Sequence, residues 1–217
     1  EEQRPNYLVT QFPSPGTPAW YLRRCSLPHG RWSVECFVSH DHADGEILDG
    51  NLSLDGTYRH WSADLDAKNR PVIAVNPLST GPSPPLWFVA VPETDRVPQC
   101  VSLVAFVGDL RPPGTIVSDA EFFSMDVRSE DQVAALRWSI HDGTVDQIFV
   151  NSAWRRKGVG STTIYTADGF HQFNGWPGRL KSDGRRTEMG ETFIATLRFP
   201  QRMAPLQDLA PPMDPPD

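Results

Sequence analysis

Two blocks rich in apolar, aromatic and β-branched residues stand near the start of the chain, residues 20–27 and 32–39, with Pro28, His29, Gly30 and Arg31 between them. They read as two strands, and the Pro/Gly gap argues a hairpin turn. Counting from a turn at 28–31 pairs Leu27 with Trp32 and Cys25 with Val34. Residues 1–18 are polar, hold four prolines and read as an extended arm. Residues 41–64 are polar with Asp-Gly pairs at 44–45, 49–50 and 55–56, the pattern of a loop or a set of short turns. Residues 72–75 fit a short strand, and Asn76 to Pro85 is a breaker-rich linker.

Beyond the linker the periodicity sharpens. Residues 86–91, 101–107, 121–127, 133–140 and 144–150 each read as a strand, and Asp142-Gly143 as a hairpin turn. The last three, joined by short turns, make an antiparallel meander. A helix is predicted from about Gly158 to Phe173, stopped by Asn174-Gly175. Residues 179–182 fit a short strand. Asp183 is placed to cap a second helix in which Met189, Phe193 and Leu197 recur every four residues, and Pro200 ends it. Arg185 and Arg186 then fall in the opening turn of that helix, an unfavourable end for cations unless an anion sits there. Residues 200–217 contain six prolines and scattered apolar positions, so they are predicted to be extended or disordered.

The stretch with candidate chemistry joins the last strand to the first helix: Val150-Asn151-Ser152-Ala153-Trp154-Arg155-Arg156-Lys157-Gly158-Val159-Gly160-Ser161. The first turn of a helix offers free N–H groups and the positive end of the dipole. Gly158 and Gly160 allow an anion close to the backbone, and Arg155, Arg156 and Lys157 add formal charge. The Gly-Lys-Ser/Thr ending of a Walker loop is absent, as is Gly-x-Gly-x-x-Gly.

Arg155-x-x-Gly158-x-Gly160, shortly after a strand end, resembles the pyrophosphate loop of the GNAT superfamily of acyl-CoA-dependent N-acyltransferases. The resemblance covers roughly residues 100–198. It implies an α+β fold: a GNAT-like mixed sheet with an antiparallel meander, the pyrophosphate loop and two helices, here with an N-terminal β-rich extension. The predicted organisation is that extension over 1–85, a GNAT-like domain over 86–200 and a Pro-rich tail over 201–217. The implied ligand is acetyl-CoA or another acyl-CoA. Ile148 and Val150 would pair their main chain with the pantetheine arm. Arg155, Arg156, Lys157, Gly158, Val159, Gly160 and Ser161 would surround the pyrophosphate. Arg185 and Arg186 could meet a CoA phosphate. The acceptor would be a primary amine, on a small molecule or a protein. In the family the base is often an acid on the fourth strand. By the two-residue period, Thr144, Asp146, Ile148 and Val150 share one face, which makes Asp146 the base candidate and Glu121 the next. Two family features have no counterpart. The closing hairpin after the second helix cannot come from a Pro-rich tail. The frequent general-acid tyrosine is also missing, since Tyr165 is the last tyrosine, so Ser182, Thr187 or a water would serve.

Those gaps, with Pro-rich arms at both ends, support an alternative: a non-catalytic GNAT-fold subunit of an oligomer or a virion-like assembly, held through the arms. An open groove beside Gly158 and Gly160 favours catalysis; a groove filled by the protein favours the structural role.

Composition narrows the field. The formal charge of −7 over 217 residues argues against a nucleic-acid partner. No run of 18 apolar residues predicts a membrane span, and no secretory leader pattern is seen. Three cysteines, an odd number, point to a reducing, cytoplasmic setting. Cys25-x3-His29 and Cys36-x3-His40-x-His42 suggest zinc. In the hairpin, though, His29 lies at the turn tip and His40 beyond the far end, so one metal cannot easily take all four, and no metal site is expected. The seven tryptophans are core candidates, with Trp154 placed to pack near the loop.

Overall fold

The computed structural model describes residues 19–27, 31–39, 42–43, 45–50, 58–197 and 203–210. The arms at 1–18 and 211–217, and residue 200, lie outside the described residues. Among the described residues the fold is mixed α+β, with two five-stranded sheets, a two-stranded ladder and four α-helices.

The first sheet takes β1 (Ala19–Leu27), β2 (Arg31–Ser39), β3 (Ile47–Asp49), β4 (Tyr58–Leu65) and β5 (Pro71–Val75) in the order β3-β1-β2-β4-β5. The second takes β6 (Leu86–Glu93), β7 (Cys100–Val107), β8 (Ile116–Ser118), β9 (Ala134–Ser139) and β10 (Val145–Val150) in the order β10-β9-β7-β6-β8. In each sheet one short edge strand runs parallel to its neighbour, β3 on β1 and β8 on β6. The sheets meet where β5 touches the start of β8: Val72 bridges Thr115 and Ile73 N–H donates to Gly114 O at 2.9 Å.

The helices are α1 (Pro77–Thr80), α2 (Asp119–Phe122), α3 (Val159–Phe173) and α4 (Glu188–Thr196). Helix α3 packs against β2, β4 and β5 on one side and β7, β9 and β10 on the other. Twelve of its fifteen residues are buried, so it is a central helix rather than an amphipathic surface one. Gly169 permits the contact with the first sheet, where a Cβ would lie 2.6 Å from Ile73 Cγ2. The main hydrophobic cluster runs without a break from Trp20, Cys36, Trp61 and Ile73 through Ile164 and Phe170 to Leu103, Leu136 and Trp138. The N-terminal strands therefore contribute to the same hydrophobic cluster as the second sheet.

Several polar residues of α3 are buried with partners, although the Thr166 hydroxyl has none among the described residues. His171 accepts from Trp138 Nε1 at 3.0 Å through Nδ1 and donates through Nε2 to Pro177 O at 3.0 Å, which fixes the neutral tautomer. Burial pushes its pKa below the usual histidine value. Gln172 Nε2 donates to Gly178 O, and Thr163 Oγ1 to Val159 O.

Several expectations are corrected. The stretch read as loop over 41–64 contains β4, whose Tyr58, His60, Trp61 and Ala63 are buried. The linker holds α1, capped by Asn76 through its side chain. Residues 121–127 are not a strand: Ser118 caps α2 there, and Phe122 turns onto Trp87 and Phe106 on the other face of the second sheet. The meander is β6-β7-β9-β10, with residues 108–133 as an excursion between its middle strands. The β1–β2 register is one residue tighter than counted: Leu27 faces Arg31 and Cys25 faces Ser33. Cys36 shares the inward face with Val34 and Val38, Cys25 the opposite face, so the two cysteines are not neighbours.

The second helix begins later than expected. Thr187 caps α4 by accepting from Gly190 N–H at 3.0 Å, and Asp183 instead accepts from Arg185. Arg185 and Arg186 form β11 (Arg185–Arg186), paired in parallel with β12 (Asp208–Leu209). The tail is thus extended over 203–210 and docked: Ser182 bridges Met203, and Arg186 Nη2 donates to Ala204 O at 2.8 Å.

Candidate functional site

Three elements converge on the predicted loop: the open edge of β10, the first turn of α3, and residues 180–182. Thr144 bridges Lys181 in parallel, and Val145 N–H donates to Lys181 O at 2.8 Å. No further bridge to β10 follows among the described residues, and Ser182 bridges Met203. Asn151 N–H donates to Val133 O, on the β9 side. By antiparallel alternation Gln147 and Phe149 bond to β9, whereas the main chains of Ile148 and Val150 face the free edge. The result is a wedge, with its apex at Val145/Lys181 and its mouth toward the start of α3.

At the mouth, Gly158 takes φ +72° as N-cap and α3 begins at Val159. The N–H groups of Val159, Gly160 and Ser161 precede the first α-helical bond, which Thr162 N–H makes to Gly158 O. Among the described residues they have no partner, as at any helix start. The cations are disposed differently from one another. Arg155 Nε donates to Val150 O at 3.0 Å, Lys157 Nζ lies 4.9 Å from the centre of the Trp154 ring, and Arg156 is exposed in the left-handed region at φ +60°. Arg185 and Arg186, held in β11, are both neutralised locally, by Asp183 and Glu191.

Both glycines have packing reasons as well. A Cβ on Gly158 would lie 2.9 Å from Thr80 O and 3.1 Å from Pro82 O, and one on Gly160 would lie 3.0 Å from Phe193 Cε2. Residues 80–83 and Phe193 therefore wall the loop on their sides. Nothing in the sequence marked them: residues 80–83 read as linker, and Phe193 only as part of an apolar helix face.

Asp146 does not share a face with Ile148 and Val150. A β-bulge falls between Val145, which faces Trp138, and Gln147, which faces Arg137. The extra residue is Asp146, which is thereby turned outward. Its Oδ2 accepts from Arg137 Nε at 2.7 Å and lies 3.4 Å from Arg96 Nη1. Oδ1 has no hydrogen bond among the described residues. Glu121 is not brought to this place. It sits beside β8 at the opposite edge of the sheet, in contact with Arg70 and Arg111, and four strand spacings put it about 19 Å from β10. Of the hydroxyl candidates, Thr187 is committed as a helix cap, and Ser182 Oγ accepts from Arg186 Nη1 at 3.0 Å while lying next to the apex.

A buried charge pair supports the wedge from behind. Asp168 on α3 accepts from Trp61 Nε1 at 3.0 Å and from Arg179 Nη2 at 2.6 Å, and Leu180 N–H approaches its other oxygen at 3.4 Å. Arg179 also reaches Cys36 Sγ and lies over the Trp20 ring. Burial opposes its charge, but Asp168 and then Cys36 outweigh that and raise its pKa above the ordinary arginine value. Residues 179–181 are thus fixed against α3 before they meet β10.

The chain matches no family model, no curated protein and no solved structure. No helix among the described residues is long and apolar enough to cross a membrane.

Proposed function

We propose that the chain is a GNAT-type N-acyltransferase that takes its acyl group from acetyl-CoA, or another acyl-CoA, bound in the wedge. The observation that carries the reading is that the pairing of β10 with residues 180–182 ends at Lys181, beside a helix start whose first amides have no partner among the described residues. An extended acyl-pantetheine arm would add to this edge of β10 at the main chain of Ile148 and the N–H of Val150, whose carbonyl accepts from Arg155, as a peptide adds to a sheet edge. Its pyrophosphate would meet the N–H groups of Val159 to Ser161, with Arg156 and Lys157 beside it.

In the transfer step a neutral primary amine attacks the thioester carbonyl. The new C–N bond forms, the C–S bond breaks, the amine proton passes to a base and the departing thiolate takes a proton. Asp146 Oδ1, near the wedge apex and without a hydrogen bond of its own, is the base in this proposal, directly or through a water. Ser182 or a water supplies the thiolate proton. Titrating acetyl-CoA calorimetrically, and following thiol release with a panel of primary amines, tests binding and turnover separately.

One observation favours a second reading, a GNAT-fold subunit without catalysis. Residues 80–83 and Phe193 pack on the two loop glycines, so each glycine has a use that needs no anion. In that case acetyl-CoA gives no heat, no amine is acylated, and the chain acts by assembling with other copies or another protein.

A further inference from the structure

A cleft of about 690 Å³ opens at the other end of α3 from the loop. Fifteen helical residues separate the two ends of α3 by about 22 Å, although Lys181 borders both the cleft and the wedge apex. Its walls are Leu22 and Arg24 of β1, Ile47 of β3, Trp176 after α3, and Asp142 with Lys181 beside the wedge apex. A volume of this size suits a small organic molecule.

Arg24 is the unusual member. By strand alternation it shares the face of Trp20 and Leu22, which are buried against the core, and its cross-strand partner Val34 is buried too. An arginine on the inward face of a sheet normally has a carboxylate or a carbonyl to meet. Arg24 is half-buried, and its guanidinium has no ion pair or hydrogen bond among the described residues. The other cations of the lining have carboxylates of their own, Arg179 with Asp168 and Lys181 with Asp142, and Asp49 of β3 stands in register with Arg24, which makes no ion pair among the described residues. Asp142 is already engaged by Thr144 Oγ1 at 2.6 Å and lies 3.3 Å from Lys181 Nζ. A half-buried guanidinium without a partner among the described residues, facing a cleft, is a place for an anion. The half-buried indole of Trp176, with Leu22 and Ile47, offers a flat apolar surface beside that charge.

We propose that this cleft binds a small organic anion, with its carboxylate or phosphate on Arg24 and its apolar body along Trp176, Leu22 and Ile47. A head group there would give the Arg24 guanidinium the charge-assisted partner it lacks, and Lys181 would add field without losing Asp142.

Phenylacetate, phenyl phosphate and the neutral phenylacetamide are suitable probes, titrated into the full chain and read from the Trp176 indole N–H and Leu22 methyl resonances. Saturable shifts with either acid, at least about tenfold tighter than with the amide, are expected. The acid that binds more tightly identifies the head group. Arg24→Gln should weaken the acids by about ten- to a hundredfold and leave the amide unchanged, while Arg24→Lys should retain most of the binding. Acids and amide binding alike to the wild type would overturn the proposal, whatever the variants do. So would the absence of any shift at about 10 mM probe, or unchanged acid affinity in a folded Arg24→Gln protein.

Discussion

Arg179 donates through Nη2 to Asp168 Oδ2 at 2.6 Å with both side chains buried, and so fastens the middle of α3 to the segment that meets β10 at the wedge apex. The pair sits between the two sheets. Arg179 touches Cys36 and Trp20 of the first sheet, while its own chain continues into Lys181 beside the second.

Asp168→Asn should therefore destabilise the protein by about 3–5 kcal/mol, since it leaves a buried guanidinium without its counter-charge. Denaturant unfolding measures this. Asp168→Asn combined with Arg179→Met should be less destabilised than Asp168→Asn alone. A loss below about 1 kcal/mol in the single variant would mean that water reaches Arg179.

The contact between Gly160 and Phe193 gives a second prediction. Gly160→Ala should cost about 1–3 kcal/mol, because its methyl meets the Phe193 ring at 3.0 Å. Adding Phe193→Leu should recover part of that cost, so the two changes should not be additive in a double-mutant cycle. Strict additivity would show that α4 does not rest on the loop.

His171 sets a pH dependence. Its folded pKa lies below the ordinary histidine value because burial disfavours the imidazolium. The unfolded chain therefore binds a proton that the folded one refuses. Stability from this group is fully present above about pH 6.5 and falls, by up to about 1.4 kcal/mol per pH unit, as the pH drops toward the folded pKa. His171→Gln should flatten the dependence between pH 7 and 5 relative to wild type. An unchanged slope would assign it to other groups.

Asp146→Asn tests the base. Turnover with a primary amine should fall by roughly 10²–10⁴ and recover in part at higher pH, where more amine is neutral, while acetyl-CoA affinity stays nearly constant. Wild-type turnover in this variant would leave Asp146 as a structural bulge residue tied to Arg137.

The sequence marked the loop and the helix after it because they are local features. A β-branched run, a glycine pair and a stop at Asn174-Gly175 are read over a few residues each. Gly175, at φ +68°, follows the end of α3 as expected. What escaped was tertiary. The burial of α3 on all sides was hidden by Thr163, Asp168, His171 and Gln172, which look like a solvated face until Trp61, Trp138, Arg179 and Gly178 supply their partners. β4 was masked by the polar stretch before it. The outward turn of Asp146 depends on one bulge, which shifts the face of every residue counted across it.

The central claim is that the first turn of α3 holds the pyrophosphate of an acyl-CoA. Ser161, partly exposed at the third position of that turn, can test it without disturbing the fold. A carboxylate there favours the helix dipole but repels a bound anion, so Ser161→Glu should leave the melting temperature unchanged or slightly raised. The direct measurement is calorimetric titration of acetyl-CoA into the wild type and into Ser161→Glu. Saturable binding to the wild type, weakened at least about tenfold in the variant, is the expected result. No heat from the wild type at about 1 mM acetyl-CoA, or equal affinity in the two proteins, would contradict the claim.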